Sequence, residues 1–122
     1  MLAFIYILQE GRFTMRTLKF IVDRQIIKKD PDCDFDYLIP GSEGYLRAEF
    51  SFSPEWDGAV KVAGFFRNDG ECPPQILEDG KSCIIPAEAL AVKRFEIFVI
   101  GKNDDLKLKT NKVEICQNGG KV

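Results

Sequence analysis

The sequence predicts an all-β protein, a sandwich of about seven or eight short antiparallel strands with one short helical turn. Three observations predict it. Apolar residues recur with period two, most cleanly from Gly44 to Phe52, where Leu46, Ala48, Phe50 and Phe52 share one face and Tyr45, Arg47, Glu49 and Ser51 the other. Turn-forming pairs and triplets, Asp57-Gly58, Asn68-Asp69-Gly70 and Asp79-Gly80, punctuate the apolar runs at regular spacing. Only Pro86 to Leu90 has a helical character, with a proline at the first helical position, where its missing N–H is harmless.

Taken in order from Met15, Thr17 to Val22 is a first strand, which Ile26 and Ile27 continue beyond a turn near Asp23 and Arg24. KDPDCDFD, residues 29 to 36, is an acidic loop, and Gly44 to Phe52 is a half-buried strand. Beyond the Ser53-Pro54 break stands Trp56, then Val60 to Arg67, apolar on both faces and so expected at the centre of a sheet. Gln75 to Leu77 and Ser82 to Ile85 form two short strands around Asp79-Gly80. Arg94 to Ile100 and Lys109 to Cys116 make a closing antiparallel pair. The expected core is Trp56, Phe50, Phe52, Phe65, Phe95, Ile97, Val99 and Val113.

With 122 residues, 45% of them hydrophobic and 30% charged, the chain is long enough for one domain with its own core, placed at 15–122. A net charge of −2 with intermixed signs argues against a phosphate-neutralising nucleic-acid binder and against a polybasic membrane patch. The apolar LAFIYIL at 2–8 is too short to span a bilayer and lacks the flanks of a signal peptide. Two readings of residues 1–14 follow. Gln9-Glu10-Gly11 can be encoded by a ribosome-binding sequence ahead of Met15, which makes the segment an upstream extension; otherwise it is an extra edge strand, suited to pairing with another subunit.

Catalysis finds little support. The chain has no histidine, so Ser-His and Cys-His pairs are excluded, and it shows neither a nucleophile elbow nor a phosphate-cradling glycine loop. Cys33, Cys72, Cys83 and Cys116 are too dispersed for paired zinc ligands and are expected as reduced, structural thiols. Asp30, Asp32, Asp34 and Asp36 alternate as hard oxygen ligands for a calcium ion would, yet Phe35 and Gly41 stand where a calcium-binding EF loop needs glycine and glutamate. A solvated acidic loop is the plainer reading; no cofactor is expected. Trp56 is read as a core residue rather than a sugar platform, whereas Tyr37 and Tyr45 are the candidate exposed contacts.

The order of motifs carries a resemblance. Trp56 is followed by Lys61, Ala63 and Phe65, then by Asp79, Gly80, Cys83, Ile85, Pro86, Glu88 and Leu90. Phe95, Ile97, Val99 and Gly101 come next, and Thr110, Asn111 and Val113 close the series. Across residues 17 to 118 this resembles the immunoglobulin-like N-terminal domain of phage baseplate upper proteins, which implies an immunoglobulin-like sandwich. It further implies a structural protein of a phage or prophage tail, made in the cytoplasm, carried in the virion tail, and docking on other tail proteins or on itself as a homo-oligomer. Such proteins usually continue into fibre-like or receptor-binding regions, whereas this sequence ends at Val122. The alternative is a non-catalytic carbohydrate-binding module built on Tyr37, Tyr45 or Trp56.

Overall fold

The computed structural model describes residues 15–122. Both expectations for residues 1–14 lie outside the described residues. Among the described residues nine strands form two sheets: β1 (Arg16–Asp23), β2 (Ile26–Lys29), β3 (Leu46–Phe52), β4 (Val60–Arg67), β5 (Gly70–Ile76), β6 (Ser82–Ile84), β7 (Arg94–Lys102), β8 (Lys107–Lys109) and β9 (Val113–Cys116). The expected helical turn is α1 (Ala87–Leu90), with Pro86 as its N-cap. The first sheet runs β2-β1-β3-β6; the second runs β5-β4-β7, with β8 and β9 sharing the far edge of β7.

The inner faces meet in one core. Trp56, Phe20, Phe50, Phe65, Phe95 and Ile97 are fully buried, and Val99 joins them. Phe52 and Val113 pack against this cluster but are only partly buried. All four cysteines are free thiols. Burial pushes the Cys83 thiol up to about 12, with the Asp79 charge adding to the effect. No helix among the described residues is long and apolar enough to cross a membrane.

Four features depart from the sequence reading. First, β2 does not continue β1 but folds back against it, through a turn that places Arg24 at φ 58°. Ser53 Oγ accepts the Arg24 N–H (2.8 Å) and Trp56 Nε1 donates to the Arg24 carbonyl (2.8 Å), so both backbone groups of this left-handed residue are held. Second, the sandwich is not wholly antiparallel: β3 lies beside β1 and runs parallel to it from Arg16↔Leu46 to Val22↔Phe52. Residues 30–45 make the crossing from β2 past β1, pinned by buried Phe35 and Leu38 and by the Arg16 guanidinium donating to the carbonyls of Asp34 and Asp36 (3.0 and 2.9 Å).

Third, β5 is longer than expected and contains Pro73 and Pro74. They are tolerated because β5 is an edge strand and the register shifts opposite them, between Ala63 and Phe65. Fourth, the expected last strand is broken in two by Thr110-Asn111-Lys112. Thr110 Oγ1 accepts the Val99 N–H (3.0 Å) and keeps the chain on β7. The Asn111 side chain crosses to the other sheet, accepting the Ile27 N–H (2.8 Å) and donating to the Ile27 carbonyl (3.3 Å). A single amide thus serves as the next strand for β2 and closes one seam of the sandwich.

The Asp79-Gly80 turn carries β5 into the other sheet rather than joining two paired strands. The Asp79 carboxylate accepts the N–H groups of Lys81 (2.9 Å) and Ser82 (2.7 Å) and the Ser82 hydroxyl (2.6 Å). These donors, the hydroxyl foremost, hold its carboxyl well below the usual carboxylate range. A depressed folded-state value contributes stability that is full above the unfolded-state value, about 3.9, and fades as pH falls toward the folded one. The melting midpoint is therefore expected to fall more steeply between roughly pH 4 and pH 2 in the native protein than in Asp79→Asn; parallel curves in a thermal melt series would show that the turn carboxylate has no such role.

Candidate functional site

The second sheet has an apolar outer face. Along β4 the inner positions are Lys61, Ala63 and Phe65 and the outer ones Val60, Val62, Gly64 and Phe66; along β7 the outer positions are Glu96, Phe98, Ile100 and Lys102. Antiparallel pairing sets Val62 opposite Ile100 and Gly64 opposite Phe98. The pairing with β5 places Ile76 beside Val62. Gly64 is bare for a reason: a Cβ there would run into the far end of the Phe98 ring, which reaches across to β4. Val60 and Ile76, 64% and 59% exposed, leave the aliphatic side of this face open to solvent.

Lysines screen the aromatic side. Lys109 Nζ lies 5.3 Å from the Phe98 centroid and Lys112 Nζ 3.8 Å from that of Phe66. The ends of the face carry charge of opposite sign. Glu96 of β7 stands directly opposite Glu114 of β9, and Lys102 of β7 directly opposite Lys107 of β8. Like charges in register repel. None of these four side chains has an ion-pair partner among the described residues.

The site residues read from the sequence fall elsewhere. Trp56 has no exposed surface and is unavailable for stacking on a sugar. Tyr37 and Tyr45 are exposed, Tyr37 in a left-handed conformation at φ 61° with its N–H donating to the Gly120 carbonyl (2.8 Å). The four aspartates are not gathered around a point. Asp30 and Asp34 each accept an N–H two residues on, from Asp32 and Asp36, while Asp36 accepts the Val122 N–H (2.6 Å). Among the described residues no group of three or more His, Cys, Asp or Glu side chains is placed to hold a metal ion. The acidic loop is spent on its own turns and on carrying Phe35 into the core, with the Phe35 ring 5.5 Å from that of Phe20.

An open cleft beside the β4–β5 turn, lined by Arg67, Asn68, Lys93 and Arg94, offers cations. Arg67 is already engaged there, with Asp69 at 2.9 Å and with the Glu88 carbonyl at 3.0 Å. The outer face was signalled in the sequence by the two-sided apolar run from Val60 to Phe66, which led to the expectation of a strand central in its sheet. The structure makes β4 central, but among the described residues only one of its faces meets another layer.

No family model matches the chain, and comparison with curated proteins and with solved structures finds no significant match.

Proposed function

We propose that the chain is a non-catalytic structural module that works by protein–protein docking in a phage or prophage tail or baseplate. One observation carries the docking: β4 is apolar on both faces, β7 adds Phe98 and Ile100 to the outer one, and among the described residues only the inner face is covered by another layer. An open apolar face of this kind gains free energy by meeting a second surface. The motif order from Trp56 to Val113, with its resemblance to phage baseplate upper proteins, is what suggests a tail as the assembly. On this reading the protein is made in the cytoplasm and carried in the virion.

The test is gradient sedimentation of particles from cells producing the phage together with the tagged chain. The chain is expected to travel with tail particles, and Val60→Asp/Ile76→Asp, which places charge on the open face, is expected to stay at the top. A native chain that remains at the top would overturn the assignment to a tail.

Exposed Tyr37 and Tyr45 favour one second reading, a glycan-binding module, with the aromatic rings as stacking surfaces. Retention on a polysaccharide column that Tyr37→Ala abolishes would select it; passage of the native protein in the void would remove it.

A further inference from the structure

We infer that the outer face of the five-stranded sheet is the contact of a two-fold symmetric homodimer. The inference rests on the docking reading and names its partner, a second copy of this chain. Charge placement is what identifies the partner. On β7 the acidic pair Glu96–Glu114 and the basic pair Lys102–Lys107 lie on one face, at equal distances from Val99. In a face-to-face pair the two-fold axis lies in the interface, and an axis at right angles to the strands sends each position to its mirror position along the strand. An axis crossing β7 at Val99 therefore lays the acidic pair of one copy over the basic pair of the other, twice. The same operation puts Val60 over Phe66 and Phe98 over Ile100, where Lys109 and Lys112 lie across the Phe98 ring of each monomer and must swing out to the rim as the copies meet. Sheets stacked face to face in this way pack about 10 Å apart with strands within about 30° of each other.

The same like-charge pairs give a second reason, within the monomer. Each is an unfavourable cross-strand contact within the monomer, and two of opposite sign at the two ends of one strand are relieved together by a single symmetric partner. The footprint is modest, roughly 20 Å along β7 by 15 Å across four strands. That is about 300 Å² per copy, below the roughly 1,200 Å² total of a standard specific interface, so the dimer is expected to be weak and transient, to dissociate on dilution and to weaken with salt.

Sedimentation velocity on the full 122-residue chain tests this. The native protein should pass from monomer to dimer with rising concentration. Glu96→Lys/Glu114→Lys makes both ends basic, and Lys102→Glu/Lys107→Glu makes both ends acidic; each should be a monomer alone, and an equimolar mixture should form the heterodimer. The neutral variant Glu96→Gln/Glu114→Gln guards against a folding defect. It should weaken the dimer about tenfold and lessen its salt dependence, while its thermal midpoint as a dilute monomer holds or rises.

A native protein monomeric at every concentration overturns the inference. So does a dimer indifferent to both reversals, a mixture that stays monomeric, or a neutral variant that dimerises as before. A monomer that still travels with tail particles would sink the homodimer and leave the docking reading standing.

Discussion

Trp56→Ala is expected to destabilise the fold by about 3–5 kcal/mol, the range for emptying a large buried aromatic site. Trp56 has no exposed surface, its ring centroid lies 5.2 Å from that of Phe52, and its six-membered ring lies against the bare backbone of Gly101. Its Nε1 also supplies the hydrogen bond that the left-handed Arg24 carbonyl receives at the β1–β2 turn. Truncation therefore leaves a cavity and an unpaired carbonyl together. Trp56→Phe separates the two: most of the aromatic volume stays and the Arg24 carbonyl loses its donor, for an expected cost of about 1–3 kcal/mol. Urea unfolding of the three proteins gives the answer, and a midpoint unmoved in Trp56→Ala would mean that the indole is not part of the core.

Trp56 also marks how far the sequence could be read. Its burial followed from its size and from the Ser53-Pro54 break that brings it onto the sandwich. The same holds for Leu46, Ala48 and Phe50, whose period-two spacing states which face is inside. Periodicity says nothing about which strand lies next to which, and that is why the parallel pairing of β1 with β3 was missed. Residue type misled where a polar group does the work of backbone. Asn111 breaks an apparently continuous strand because its amide is bonded to Ile27, 84 residues away in sequence. Phe35, set among four aspartates, looked like part of a solvated loop and is buried. The docking face was half legible: the apolar run from Val60 to Phe66 was visible, but the opposed charge pairs exist only once register joins Glu96 to Glu114 and Lys102 to Lys107.

Gly101→Ala is the second large effect, expected at about 1–3 kcal/mol as overpacking. The backbone at Gly101 is ordinary strand, so the cost comes from space. A Cβ would stand 2.7 Å from both Cε3 and Cζ3 of Trp56, and the indole cannot yield easily because Phe52 packs against it and Arg24 holds its N–H. Gly64 provides the contrast. A Cβ there meets the far end of the Phe98 ring, which lies on the outer face and can lift toward solvent, so Gly64→Ala should cost the fold less while disturbing the docking surface. The two glycines serve two rings on opposite sides of one sheet. Combining Gly101→Ala with Trp56→Ala tests the assignment directly, since removal of the indole removes the clash and gives the new methyl a cavity to enter. The double variant should therefore be more stable than the sum of the single losses predicts, by about 1–3 kcal/mol of coupling. Losses that add to within about 0.5 kcal/mol would show that Gly101 is bare for some reason other than the indole it faces.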